Sequence, residues 1–97
     1  MEFSCDAEKS EENYRLRGFD FAFASLIFDG PALEREDGRQ DYAETRIVAI
    51  GLADGIELTV VYTDRPGSAQ GIVRRVISAR RSNRRERTAF QASLKAG

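Results

Sequence analysis

The sequence predicts an α+β domain in which helices pack on an antiparallel β-sheet. The chain has 97 residues, which is enough for one hydrophobic core and too few for two, so we expect residues 1–97 to form a single domain. Segments with helix-capping residues lie near both ends of the chain, and apolar, β-branched segments fill much of its second half. This distribution predicts the element order β-α-α-β-β-β-β-α, which is typical of α+β architecture.

The first third of the chain carries the signals of a short strand and two helices. Residues 2–5 alternate weakly between polar and apolar side chains, which indicates an edge strand. A helix over residues 6–17 is expected because it begins with aspartate, a good N-cap, and is followed by Gly18, which favours a helix end. A second, more apolar helix is expected over residues 21–28, since the Asp-Gly-Pro sequence at 29–31 stops it.

Four strands and a final helix are predicted in the rest of the chain. Apolar and β-branched residues concentrate in four segments, 32–35, 45–51, 56–63 and 72–79. The Asp54-Gly55 pair between the second and third segments is a strong hairpin signal. Asn83 and Glu86 have the spacing of a capping box, so a helix should run from there to about Leu94.

Loops and core follow from the same pattern. The charged stretch 36–41 and the glycine-containing stretch 66–71 are expected to be loops. The predicted core consists of apolar residues of the helices and strands: Phe21, Leu26, Ile27, Phe28, Ile47, Ile50, Leu58, Val60, Ile72, Val76, Ile77 and Phe90.

The composition excludes several classes of chemistry. There is no histidine, so acid–base schemes that need an imidazole of this chain are ruled out and a structural zinc site lacks ligands. Cys5 is the single cysteine and cannot form a disulfide within the chain. No apolar run approaches the ~20 residues of a membrane span, and the N-terminus is unlike a signal peptide. We therefore expect a cytoplasmic protein with no cofactor, no metal and no membrane partner.

The net charge of −1 conceals an asymmetry between the two halves of the chain. Residues 1–54 carry 13 acidic and 6 basic side chains, a net charge of −7, whereas residues 55–97 carry 3 acidic and 9 basic side chains, a net charge of +6. Such an asymmetry is typical of a protein with a surface for a polyanion. The alternative is that folding mixes the two halves and leaves a surface of mixed charge.

The arginines of the basic half are the residues that indicate chemistry. Period-2 alternation in the fourth predicted strand puts Arg74 and Arg80 on one face of the sheet and Arg75 on the other. The run 80–87 then places several cations at the start of the last helix, where the helix dipole favours anions: these are Arg81, Arg84, Arg85 and Arg87. The run is therefore a candidate phosphate-binding patch, and its alternative is a charged helix end.

A second group of candidates lies on the neighbouring strands. Glu44 and Arg46 project to the same side, and Arg65 lies just beyond the strand that carries Tyr62. Guanidinium groups with a carboxylate and a phenol can cleave RNA without a metal or histidine. The guanidiniums hold the scissile phosphate, and the carboxylate or phenol moves the proton of the attacking 2′-hydroxyl. Strand arginines that only pair with carboxylates across strands are the alternative.

Short motifs that occur in one order along nearly the whole chain carry a resemblance to a known family. They are Asn13-x4-Gly18-Phe19-Asp20-Phe21-x2-Ala24, Phe28-Asp29-Gly30-Pro31, Glu44-Thr45-Arg46 with Ile50-Gly51, Val60-Val61-Tyr62-Thr63-Asp64-Arg65, Arg75-Val76-Ile77-Ser78-Ala79-Arg80-Arg81-Ser82, and Glu86-Arg87 with Phe90. Together they resemble the BrnT family of bacterial toxins, which are small ribonucleases of type II toxin–antitoxin systems.

The resemblance implies a RelE-like fold and metal-independent endoribonuclease cleavage of mRNA, with RNA bound as a partner either free or at the ribosome. It also implies a cognate antitoxin, of the ribbon-helix-helix DNA-binding type, so that DNA is contacted only through the antitoxin. The catalytic residues implied by motif position are Arg65, Arg80, Glu44 and Arg46. The RNA-binding candidates beside them are Arg17, Tyr62, Arg75, Arg81, Arg84 and Arg85.

Two positions depart from the family pattern and keep a second function open. The family often has Lys-His before the glycine that ends the first helix, where this chain has Leu16-Arg17, and Phe90 stands where a tyrosine is usual. Arginine is a poor proton shuttle at neutral pH because its pKa exceeds about 12. The alternative function is therefore a catalytically weak homologue that binds an antitoxin and nucleic acid, and a plain α+β interaction domain is a third hypothesis.

Overall fold

The computed structural model describes residues 1–38, 44–67 and 71–97. Its elements in chain order are β1 (Glu2–Cys5), α1 (Ala7–Arg17), α2 (Phe21–Ala24), a 3-10 helix (Ser25–Asp29), β2 (Ala32–Glu36), β3 (Ile47–Ala53), β4 (Ile56–Pro66), β5 (Ile72–Arg81) and α3 (Arg84–Ala96). Residues 39–41 and 68–70 of the predicted loops lie outside the described residues. None of the helices in the described part is long and apolar enough to cross a membrane.

Local signals set the ends of the helices as the sequence predicts. The Asp6 side chain accepts hydrogen bonds from the first backbone N–H groups of α1, and Gly18 ends that helix with φ +87°. Asn83 and Glu86 form both hydrogen bonds of the capping box of α3. The second predicted helix differs: it is α-helical over only one turn and tightens into a 3-10 helix before Pro31, as helix ends often do ahead of a stop.

The five strands form a mixed sheet in the order β1-β5-β4-β3-β2. Strands β2 to β5 pair antiparallel with their chain neighbours, but β1 runs parallel to β5, with Glu2 opposite Val73 and Cys5 opposite Val76. The prediction of an antiparallel sheet is therefore wrong for its first strand. A tight hairpin forces antiparallel pairing only between strands that follow each other in the chain, and β1 is separated from β5 by most of the domain.

A β-bulge changes which side chains of β5 share a face. Val61 lies opposite Ser78 and Tyr62 lies opposite Val76, which leaves Ile77 as an extra residue without a partner on β4. Val76 and Ala79, three residues apart, consequently both enter the core. The predicted face assignment is wrong for this reason: beyond the bulge the alternation is inverted, so that Arg80 shares a face with Arg75 and not with Arg74.

The core lies between the sheet and the N-terminal helices, and α3 covers part of the opposite face. Phe21, Ile27, Leu58 and Val60 are buried in the main cluster, as predicted. On the other side of the sheet Phe90 of α3 is fully buried. Two predicted core residues are exposed, Leu26 at 41% and Ile72 at 55%. The main cluster instead includes Phe19, Tyr62 and several alanines.

Gly51 permits close contact between β3 and the 3-10 helix. A Cβ at this position would lie 2.9 Å from Ile27 Cβ and 3.3 Å from the Ile27 carbonyl oxygen, whereas a Cβ at Gly30 would contact nothing within 4 Å. Gly51→Ala should therefore lower the free energy of unfolding by about 1–3 kcal/mol, because the core must shift to accept the methyl group. Urea unfolding measures the change. The matched variant Gly30→Ala should be close to neutral, and equal stability of the two variants would contradict the packing described.

Candidate functional site

Five arginines and one glutamate project from the face of the sheet opposite α1 and α2. We call this side the arginine face, and its charged members are Arg35, Glu44, Arg46, Arg65, Arg75 and Arg80. Arg75 and Arg80 of β5 lie opposite Thr63 and Thr59 of β4. α3 packs against β2 and β3 and covers the end of the face nearest Arg80. The bulge in β5 and the turn into α3 thus position the basic residues together.

At one end of the arginine face, Glu44 binds two arginines. Its Oε2 accepts a hydrogen bond of 2.8 Å from Arg65 Nη2, and its Oε1 lies 3.7 Å from Arg46 Nη2. The hydrogen bond from Arg65 and the charges of the surrounding arginines hold the pKa of Glu44 below its usual range, so this carboxyl group is ionised at neutral pH. A hydrogen bond of 2.7 Å from Thr63 Oγ1 to the Thr45 carbonyl fixes the segment against β4.

At the other end, Arg80 is bound by the first turn of α3. Its Nη1 and Nη2 donate hydrogen bonds of 2.7 and 2.8 Å to the two carboxylate oxygens of Glu86. Glu86 also accepts a hydrogen bond from the backbone N–H of Asn83. The hydrogen bond from Arg80 is the main reason that the pKa of Glu86 falls to about 2. Below this pair, the hydroxyl groups of Thr59 and Ser82 are 2.8 Å apart and hydrogen-bonded, which joins β4 to the start of α3.

The sheet places Arg65 and Arg80 on one face but at opposite ends of it. Arg80 lies opposite Thr59, and Arg65 lies six residues farther along β4, which corresponds to roughly 20 Å between the backbone positions. The resemblance implies that both side chains take part in catalysis, but their backbone positions are not adjacent on the sheet.

Arg35 lies between these two ends and was missed by the sequence analysis. Arg35 of β2 pairs with Val48 of β3, and Val48 pairs with Val61 of β4. Along the strand direction, Arg35 is therefore level with Val61, two residues from Thr59 on the same face. The signal was present in the sequence: once β2 is paired with β3, period-2 alternation carries Arg35 to the same face as Val48 and Arg46.

A comparison with known protein families matches most of the chain. The family described as ribonuclease toxin, BrnT, of type II toxin–antitoxin system matches residues 5–86, a range that includes both ends of the arginine face. The chain belongs to the BrnT family. Membership indicates a ribonuclease toxin whose partner is an antitoxin. A comparison with curated proteins gives no match.

Two of the RNA-binding candidates of this BrnT chain lie at the edge of the sheet. Arg17 at the end of α1 lines a groove of about 350 Å³ between α1 and β5, and Arg80 lines the same groove from the strand side. Arg81 and Arg17 line a neighbouring depression beside Gly18. The structure therefore brings these three arginines to the C-terminal end of β5, where the family often has its Lys-His pair.

The two RNA-binding candidates in the first turn of α3, Arg84 and Arg85, lie on different sides of the helix. Arg85 lines a groove of about 480 Å³ between α3 and the sheet, together with Arg35 and Arg80, and the floor of this groove is aliphatic. Arg84 lines a separate depression on the other side of α3, with Glu57, Thr88 and Gln91, and it does not line the groove that holds Arg35 and Arg80. Arg85 therefore extends the arginine face and Arg84 does not.

Tyr62, another candidate, belongs to the helix-covered face of the sheet. It is 3% exposed, and its hydroxyl donates a hydrogen bond of 2.5 Å to Glu34 Oε2. The guanidinium of Arg74 lies 3.9 Å from the ring centroid and binds Asp64 through two hydrogen bonds. Burial, with the Glu34 hydrogen bond, raises the pKa of the Tyr62 phenol well above its usual value. This placement does not support base stacking or proton transfer by Tyr62.

In the part of this BrnT chain that the structure describes, the acidic side chains are not grouped as metal ligands. Within residues 1–38, 44–67 and 71–97, no three or more histidine, cysteine, aspartate or glutamate side chains are placed to hold one metal ion. On the arginine face the carboxylates bind guanidinium groups instead.

The depressed pKa of Glu86 makes the stability of the domain depend on pH. Because the folded-state pKa lies near 2 and the ordinary value is 4.5, the Glu86 contribution is fully present above about pH 4.5 and is lost as the pH falls towards 2. Glu86→Gln should therefore cost about 1–2 kcal/mol of unfolding free energy at pH 7 and almost nothing at pH 2, a range that allows for solvent screening of the pair.

Urea unfolding at pH 7, 4 and 2 measures this difference. Arg80→Ala should reduce the same pH-dependent contribution, and the double variant should lose less than the sum of the two single losses, because the residues interact directly. A constant difference between wild type and Glu86→Gln across all three pH values would contradict the assignment.

Proposed function

We propose that this chain is a metal-independent endoribonuclease that cleaves mRNA in the cytoplasm, with a RelE-like arrangement in which arginines stabilise the scissile phosphate. The observation that carries the proposal is the row of arginines on one face of a β-sheet in a chain of a ribonuclease-toxin family. Guanidinium groups bind phosphate oxygens bidentately and remain charged at every physiological pH, so they suit the charge that develops during cleavage.

In this proposal the RNA strand runs along β4 from Arg80 towards Arg65. The scissile phosphate lies at the Glu44 end, where Arg65, Arg46 and Arg75 surround one carboxylate. Arg80 and Arg35, with Arg85 beside them, hold phosphates farther along the strand. The substrate in this proposal is a single strand, because sequence-specific recognition of RNA mostly targets single-stranded segments.

The reaction assigned to this site is transfer of the phosphate to the neighbouring 2′-hydroxyl. The 2′-oxygen forms a bond to phosphorus, the bond to the 5′-oxygen breaks, and a cyclic phosphate is left on the upstream fragment. Glu44 is ionised and accepts the proton of the 2′-hydroxyl, and the leaving 5′-oxygen takes a proton from water. Arg65 and Arg46 stabilise the additional negative charge on the phosphate oxygens.

The partners follow from the same proposal. The antitoxin that family membership indicates is proposed to be a ribbon-helix-helix DNA-binding protein, so that the complex contacts DNA only through the antitoxin. RNA is the substrate, either unbound or at the ribosome, and the two cases differ in whether purified RNA is cut without ribosomes.

One observation favours a second function, a catalytically weak toxin homologue that binds antitoxin and nucleic acid. The carboxylates at both ends of the arginine face have lowered pKa values, and a carboxylate of low pKa is a weak general base. In addition, arginine occupies position 17, where a histidine could have moved protons.

Removing the arginines separates the two functions. Arg65→Ala should reduce cleavage of single-stranded RNA about 10²-fold, because it removes a charged donor that stabilises the transition state. Arg80→Ala should instead weaken RNA binding about tenfold, because it removes a contact with a phosphate farther along the strand. Arg15→Ala on the exposed side of α1 is the matched control and should cleave as the wild type does. End mapping of RNA fragments in the presence of a metal chelator provides the measurement. Abolition of wild-type cleavage by the chelator would overturn metal independence, and RNA binding without cleavage by wild type would establish the second function.

Glu44→Gln tests the role of the carboxylate. The substitution removes a negative charge beside Arg65 and Arg46, so the variant should bind single-stranded RNA more tightly. It also removes the proton acceptor, so the cleavage rate at saturating RNA should fall about 10–10²-fold. Fluorescence anisotropy and single-turnover cleavage measure the two effects. Tighter binding with an unchanged rate would show that Glu44 only orients the arginines.

A further inference from the structure

Part of the β5 edge has no strand beside it. β1 pairs with β5 only as far as Cys5 opposite Val76, whereas β5 continues to Arg81. Within the described residues, positions 77–81 therefore form an open strand edge on the side away from β4. The opening starts at the bulged residue Ile77, where the chain after β1 turns away into α1.

The hydrogen-bond pattern shows which backbone groups point out of this edge. The Ser82 N–H donates to the Glu57 carbonyl at 3.1 Å, which makes these two residues a hydrogen-bonded pair of the antiparallel ladder. Pairs alternate along such a ladder, so Ala79 and Arg81 are in non-hydrogen-bonded positions and their N–H and C=O groups point away from β4. The Arg81 carbonyl accepts a hydrogen bond of 3.3 Å from Arg80 Nη1, which leaves the Ala79 groups and the Arg81 N–H at the edge.

A groove of about 350 Å³ runs along this edge. Its strand wall is residues 77–80, and its other wall is one face of α1, with Lys9, Asn13 and Leu16 at helical spacing. A helix cannot complete the ladder of a strand, because its backbone groups are already bonded within the helix. Leu16 is 74% exposed beside the groove, on a helix that is otherwise almost entirely polar.

The charges of the groove favour an acidic occupant. Lys9, Arg17 and Arg80 line it, and Glu12 is the one acidic residue among its described lining residues. A nucleic acid could satisfy the positive charges, but it does not offer the alternating N–H and C=O groups that match a strand edge, nor a reason for an exposed leucine. An extended peptide offers both, together with acidic side chains.

We propose that an extended, acidic segment of the antitoxin binds in this groove and adds a strand next to residues 77–81 of β5. Its backbone pairs with the N–H and C=O groups of Ala79, an apolar side chain covers Leu16, and a carboxylate faces Arg17 and Arg80. Arg80 lines both this groove and the groove on the arginine face, so a bound segment makes Arg80 unavailable to RNA. This inhibition of RNA cleavage by the antitoxin rests on the proposed function.

Amide hydrogen exchange followed by NMR tests the location. The probe is the full-length product of the neighbouring reading frame, purified as a complex with this chain. Exchange of the Ala79 and Arg81 amides should slow at least about tenfold in the complex, since each gains a strand partner. The amides on the outer edge of β2 are the internal control and should not change. Protection on β2 or α3 without protection at Ala79 and Arg81 would overturn the proposal, as would protection of these amides by RNA.

Affinity measurements with paired variants test the contacts. Leu16→Glu places a charge in the groove and should weaken antitoxin binding at least about tenfold, whereas Leu52→Glu, at a less exposed leucine on the β3–β4 hairpin, should not. Arg81→Pro removes an outward N–H that Arg81→Ala keeps, so only the proline variant should lose the strand contact. Circular dichroism confirms that each variant is folded. Wild-type affinity of Leu16→Glu would overturn the proposal.

Cleavage assays without antitoxin distinguish a failure of the antitoxin docking surface from a failure of the proposed ribonuclease function. If wild type fails to cleave RNA while Leu16→Glu still loses antitoxin binding, the function is wrong and the docking surface stands. If wild type cleaves RNA and Leu16→Glu binds antitoxin normally, the function stands and the docking surface is wrong.

Discussion

The extra residue in β5 decides how both faces of this sheet are used. Because Ile77 has no partner on β4, Val76 and Ala79 both face the N-terminal helices, although two residues lie between them and a regular strand would direct them to opposite faces. Regular alternation from Val76 would instead direct Ala79 outward and Arg80 into the core, where an unpaired guanidinium is strongly unfavourable. The bulge therefore allows a continuous apolar core on one side and puts Arg75 and Arg80 together on the other.

Ion pairs connect the two oppositely charged halves of the chain at Glu44 and also form within the basic half. Glu44, from the acidic half, binds Arg65, whereas Arg74 and Arg80 are bound by two of the three acidic residues of the basic half. These pairs differ in their surroundings. Arg74 also covers aromatic rings and is 15% exposed, so it stabilises the fold, while Arg65 is 52% exposed. The Arg65 pair can therefore be broken without disturbing the core, because partly solvated pairs contribute little stability.

Features set by a few neighbouring residues were predictable from the sequence. The caps at Asp6 and Asn83 and the hairpin at Asp54-Gly55 are local, and the positive φ angles of that turn are those its residues favour. The direction of β1 was not predictable, because it depends on contacts between the two ends of the chain. The bulge at Ile77 also has no local sequence signature, and the assignment of Arg74 and Arg80 to one face failed with it. The residues of the candidate site were therefore largely predictable, whereas their relative positions were not.

The parallel pairing of β1 with β5 links the order of synthesis to the completion of the fold. β1 is synthesised before its partner residues 73–76, and about seventy residues of chain separate the two strands. Contacts with such a large sequence separation form late, since a long loop must close before they stabilise anything. Arg80 and Glu86 follow the partner strand directly in the chain. A nascent chain that ends before β5 and the first turn of α3 can therefore form neither the outer strand of the sheet nor the Arg80 end of the arginine face.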